Sequence, residues 1–142
     1  MMTLRKSLTA YLGAGLVLGM MDAVWLTVSS NLLYKPAIGD LLAPVFRPLP
    51  AALFYLLYLV GLVVFAVAPA LSSGRWKDAA LKGALFGVFC YATYDLTNQA
   101  TLVHWATRVT VMDIVWGAIL SASGATAGFF AARAFGGPAR AA

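Results

Sequence analysis

Residues 50–71, PAALFYLLYLVGLVVFAVAPAL, carry no charge and one glycine, Gly61, with Leu, Val and Phe on every side of the helix they would form. An α-helix needs about 20 apolar residues to cross a hydrocarbon core of about 30 Å, so this run is read as a membrane span. Outward from it, three more segments meet the same criterion, at residues 8–30, 79–101 and 109–135. The fold class expected is all-α, an integral membrane bundle of four transmembrane helices in a single domain, 1–142. Composition agrees: 62% of the 142 residues are hydrophobic, 11% are charged and the mean hydropathy is +0.85, outside the range of soluble globular domains. The chain has no basic run with interleaved polar surface, so nucleic acid is not an expected partner. A single cysteine, Cys90, excludes an intrachain disulfide and a thiolate-rich metal site. The first segment follows Arg5 and Lys6 as a secretory signal would. Its apolar run is longer than a signal's core and lacks a well-placed small-x-small cleavage site, so it is read as retained.

Charge orients the bundle. Arg5, Lys6, Arg75, Lys77, Lys82, Arg133 and Arg140 fall on one side of the predicted spans, and Lys35, Arg47 and Arg108 on the other. Seven against three places both termini in the cytoplasm. The first loop, 31–49, has Pro36, Gly39, Pro44 and Pro48 among apolar residues and reads as an interfacial flap on the outer side.

All five acidic residues are aspartates, and three of them, Asp22, Asp95 and Asp113, lie inside predicted spans. A carboxylate there is costly and faces a partner, water or a binding site. Counted from the span ends, Asp22 lies about 21 Å in from Leu8, Asp95 about 24 Å in from Ala79 and Asp113 about 6 Å in from the start of the last span. The expectation is one acidic layer near the outer surface. Each Asp continues a stripe of small residues that favours close helix packing: Gly15 and Gly19 before Asp22; Gly83, Gly87 and Tyr91 before Asp95; Gly117, Gly124 and Gly128 after Asp113. Helix two offers only Tyr55 and Tyr58 and reads as a lipid-facing wall.

Met21-Asp22-Ala23-Val24-Trp25 is echoed by Met112-Asp113-Ile114-Val115-Trp116, with a Trp at i+3 placed to donate to its own carboxylate. The two helices run in opposite directions, and the echo is not read as a duplication. Tyr91, Tyr94 and Asn98 surround Asp95 with hydroxyl and amide donors. The candidate site is therefore Asp22, Asp95 and Asp113 as ligand-binding or proton-exchanging groups, with Trp25, Tyr91, Tyr94, Asn98 and Trp116 as their donor shell. His104 reads as an interfacial residue and Cys90 as an apolar filler.

Phe54-Tyr55-Leu56-Leu57-Tyr58, the run Tyr91-Ala92-Thr93-Tyr94-Asp95-Leu96-Thr97-Asn98, Ala100-Thr101-Leu102, and Asp113 with Trp116-Gly117 together resemble the DUF2177 family of predicted bacterial membrane proteins. Asp22, Trp25 and Tyr34 match the same pattern. The resemblance implies a small four-span, multi-pass protein of the bacterial inner membrane and supplies no reaction, ligand or catalytic residue.

Three functions are weighed. The first is an outward-facing intramembrane Asp cluster that binds or transports a proton, a cation or a small polar solute. Four short helices rarely enclose a complete path, so a homodimer goes with the transport form. The second is a membrane-embedded lipid-modifying enzyme; HExxH, an intramembrane Ser/His pair, a Cys nucleophile and a phosphate-binding Gly loop are all missing, which leans against catalysis. The third is a structural or partner-binding subunit. No cofactor is implied; an Asp acting as general acid or base, or a hard divalent metal on the acidic trio, belongs to the enzyme reading alone, and membrane lipid is the one partner common to all three. A channel to water would favour transport, a lateral groove lipid chemistry, and a closed network the structural role.

Overall fold

The computed structural model describes residues 2–137. Helix α1 (Leu4–Ser29) starts at Thr3, whose hydroxyl accepts the Lys6 N–H at 3.3 Å. It continues through a π-helical turn (Ser30–Tyr34), the short α2 (Lys35–Ile38) and a 3₁₀ turn (Gly39–Leu41). After a non-helical stretch, Pro48 opens α3 (Pro48–Leu62), where its missing N–H leaves no hydrogen bond unmade. A second π-helical turn (Val63–Val67) leads into α4 (Ala68–Ser73), which ends at Gly74 in the left-handed conformation, φ 73°. Helices α5 (Trp76–Thr101) and α6 (Thr107–Phe135) complete the chain. The described residues form an all-α membrane bundle. Three of its helical segments, Leu4–Leu41, Pro48–Ser73 and Thr107–Phe135, are long and apolar enough to cross a membrane. Helix α5 has 26 residues, about 39 Å at 1.5 Å per residue, and is more polar.

Both π turns end two residues before a proline, Pro36 and Pro69. Proline removes a backbone donor and crowds the carbonyl four residues back, and widening the preceding turn relieves both. In each case the residue just before the proline takes up an i−5 bond instead, Lys35 to Ser30 and Ala68 to Val63. The helix thus runs beyond residue 30, where the sequence alone suggested that the flap begins, and carries Tyr34 on a remodelled turn.

Helix α6 is the centre of the bundle, flanked by α1 and α5. It buries Gly117, Leu120, Ser121, Gly124, Ala125, Gly128 and Phe129 along its length. Against α5 the approach is backbone to backbone: a Cβ on Gly83 would lie 2.5 Å from the Ser121 carbonyl oxygen, and one on Gly87 would collide with the Gly117 carbonyl. Against α1, Gly124 and Gly128 face Ala14, Leu18 and Ala10. The inward stripe of α1 is therefore Ala10, Ala14, Leu18 and Asp22. A Cβ on Gly19 would meet nothing within 4 Å, whereas one on Gly15 would lie 3.1 Å from Leu59 of α3, so the close packing expected along this stripe is made by Gly15 against α3 and not by Gly19. Helix α3 is peripheral and exposes Leu53, Leu56, Leu57 and Val60. Its two inward hydroxyls are those of Tyr55 and Tyr58, the latter sharing a 2.6 Å hydrogen bond with Ser121.

The first turns of α1 and the residues just after α6 meet on one face of the bundle, with Lys6 against Gly136 and Arg5 against Gly137. Arg133 reaches the Gly74 carbonyl there at 3.5 Å. In the same turn Arg75 pairs with Asp78 at 2.9 Å. The Ser73 hydroxyl, and then the Arg75 guanidinium, hold the Asp78 carboxyl below the usual carboxylate range. Arg140, counted with this charged face, lies outside the described residues.

Candidate functional site: an acid and aromatic cluster beside a lateral groove

Asp22 and Asp113 are 6% and 7% exposed, and each is held by donors from other segments. The Tyr55 hydroxyl donates to Asp22 Oδ2, and Trp116 Nε1 donates to Asp22 Oδ1 at 3.1 Å. The Tyr34 hydroxyl donates to Asp113 Oδ1 at 2.6 Å and itself accepts Trp25 Nε1 at 3.0 Å. The two indoles stack, centroids 4.6 Å apart and planes 10° from parallel.

The partners are thus exchanged relative to the sequence reading. Each Trp serves the aspartate of the other helix, Trp116 directly and Trp25 through Tyr34. Antiparallel packing is the cause. With the same Asp-x-x-Trp order on two opposed helices, the Asp of one comes level with the Trp of the other, and the two indoles come face to face between them. The echo between the segments is a reciprocal contact.

Asp95 is 0% exposed and neither carboxyl oxygen has a partner among the described residues. The Gly83–Ser121 and Gly87–Gly117 approaches fix the α5–α6 register, which brings Tyr91 level with Asp113 and Asp95 level with Val109. Asp95 therefore lies about 6 Å nearer the α5–α6 turn than Asp113, and Asp22, bonded to Trp116, about 5 Å on the other side. The acids form a staircase, not the single layer expected. Among the described residues no three acidic, His or Cys side chains converge on a point that would hold a metal ion.

The donor shell divides as well. Trp25, Trp116 and Tyr91 border the cluster. Tyr94 is 61% exposed and packs edge-on against Trp105, and Asn98 is half-buried with no side-chain hydrogen bond among those described. The polar end of α5 instead fastens the α5–α6 turn. Gln99 Nε2 donates to Thr107 at 3.0 Å, Thr110 donates to Gln99 Oε1 at 2.8 Å, and Trp105 Nε1 donates to Thr110 at 3.0 Å. Tyr34 and Tyr55, placed outside the shell by sequence, are the donors that complete it. The signal for Tyr55 was its position at the outer end of an otherwise apolar helix.

A cavity of about 820 Å³ opens beside this cluster, lined by Phe54, Tyr58, Phe86, Cys90, Tyr91 and Asp113 among others. Its outer walls include Phe54, Phe65, Phe89 and Tyr94, whose rings are exposed on the hydrophobic surface, so the opening is lateral. Asp113 lines this space; its Oδ1 takes the Tyr34 bond, while Oδ2 accepts no hydrogen bond among those described. A smaller cavity of about 280 Å³ holds Asp22, Trp25, Tyr34, Tyr55 and Trp116, and shares Phe54 and Tyr91 with the larger one.

The family model of the DUF2177 predicted membrane proteins matches residues 7–130, which contain every residue of this site. The chain belongs to that family. No curated protein and no solved structure matches it. In this DUF2177 member the site is a stapled acid and aromatic framework, with Asp113 lining the laterally open groove and one of its oxygens without a hydrogen-bond partner among the described residues.

Proposed function

We propose that this DUF2177 protein binds a membrane-dissolved ligand that enters sideways from the bilayer, with its polar end at Asp113 and its body between α3 and α5. The observation that carries this is the junction of an aromatic, laterally open cavity with one unpartnered carboxylate oxygen. Sites of this kind combine an apolar lining with a few placed polar groups, and about 820 Å³ is within their usual size. Asp22, with both oxygens taken, serves the framework. Two features favour four crossings with cytoplasmic termini: α5 packs along α6, and Arg5, Lys6, Arg75 and Arg133 gather at one end of the bundle. The family resemblance is what points to a bacterial inner membrane. Carboxyl-terminal reporter fusions should read as cytoplasmic, and an external readout rejects that orientation.

Cys90→Trp tests the groove, because Cys90 lines it and belongs to no part of the hydrogen-bonded cluster. In detergent micelles, amphiphiles that bind should raise the thermal midpoint of the wild type by several degrees, about what a concentration near 100 times Kd supplies. Cys90→Trp should keep its unliganded midpoint and lose that shift. A shift undiminished in the variant places the ligand elsewhere.

A further inference from the structure

The polar end of the groove has one sign of charge. Asp113 is its only charged lining residue among those described, and no Lys, Arg or His lines it. Arg108, the nearest basic residue in sequence, is exposed at the α5–α6 turn. Phe54, Phe65, Phe86, Phe89 and Tyr91 supply the walls, with Phe86 packed edge-on to Tyr58 at 5.1 Å and stacked with Phe65 at 6.2 Å. A carboxylate in an apolar surround repels an anionic head group and is left uncompensated by a neutral one. Ring faces attract cations by their quadrupole, most strongly where water is excluded. Charge and lining therefore select the same chemistry.

Resting on the groove-binding reading, we propose that the ligand is a hydrophobic organic cation, an amine or onium group carried on an apolar or aromatic body, with the positive centre at Asp113 Oδ2. Tyr34 occupies Oδ1, which leaves Oδ2 of this groove-lining carboxylate as the oxygen free to meet the cation.

The test uses the full chain in nanodiscs of neutral lipid and a pair of probes alike in size and opposite in charge, tetraphenylphosphonium and tetraphenylborate. Saturable binding of the phosphonium is expected, with none of the borate. Asp113→Asn should weaken phosphonium binding by about tenfold or more, since the amide keeps the Tyr34 bond but not the charge. Phe89→Leu, which leaves the hydrogen-bonded cluster untouched, should weaken it by about three- to tenfold through the lost ring face. Equal binding of the two probes, or phosphonium binding unchanged in both variants, overturns the proposal. If the phosphonium does not bind while neutral amphiphiles still give a stabilisation that Cys90→Trp removes, the cation assignment fails and the groove reading stands. If no probe of any charge gives a response sensitive to Cys90→Trp, both fail.

Discussion

Asp22→Ala is expected to lower the unfolding free energy by about 2–4 kcal/mol, because it strands two half-buried donors, the Tyr55 hydroxyl and the Trp116 indole, in an apolar setting. Asp22→Asn should cost less than about 1 kcal/mol. Its oxygen can accept from Trp116, and its amide can donate to the Tyr55 oxygen once that hydroxyl rotates. Asp95→Val in the same assay should be neutral or stabilising, since Asp95 has no partner to strand among the described residues. Equilibrium denaturation in mixed micelles gives all three values. A loss for Asp95→Val as large as that for Asp22→Ala would show that Asp95 holds a stabilising contact of its own.

Gly87→Leu should be as damaging for a different reason. Even a Cβ at Gly87 collides with the Gly117 carbonyl, and Tyr91 already covers the other side of Gly117, so the helices must separate. Overpacking against backbone leaves no flexible atom to yield, and the expected loss is about 3 kcal/mol. Gly19→Leu, at an open position on α1, is the control and should be nearly silent. Similar midpoints for the two variants in thermal unfolding would contradict the close α5–α6 packing.

Much of the bundle was legible in the sequence because the bilayer imposes length and apolarity directly on the chain. The inward placement of Asp22, Asp95 and Asp113 was legible too, since an acid in a span has few places to go. Their relative depth was not. Counting from the ends of apolar runs assumes that those ends lie level, but the Asp22–Trp116 pairing puts Leu8 level with Phe130, whereas the Gly83–Ser121 and Gly87–Gly117 approaches put Ala79 level with Ala125, so the two counts start about 7 Å apart. The exchange of Trp25 and Trp116 was also hidden, because i+3 spacing reports a shared face on one helix and says nothing about what an antiparallel neighbour brings level with it. Tyr34 stood out only through the family resemblance, and its role as the Asp113 donor was hidden because its position depends on the widened turn before Pro36. Tyr94 sits one residue before Asp95, about 100° around the helix, so the burial of the acid sends its neighbour's ring outward. Density of polar residues along the chain was a poor guide to which of them share a site.

On the groove-binding reading, the three aspartates have different surroundings and Asp113 alone meets molecules arriving from the bilayer. A photoactivatable diazirine dissolved in the lipid phase of nanodiscs, with its adducts on the full chain mapped by mass spectrometry, reads this without any assumption about the ligand. Adducts are expected on Asp113 and on groove residues such as Phe54 and Phe89, with Asp22 and Asp95 unmodified and the Asp113 adduct lost in Cys90→Trp. Labelling of Asp95 or Asp22 equal to that of Asp113, or a fully protected Asp113 in the wild type, would contradict the claim.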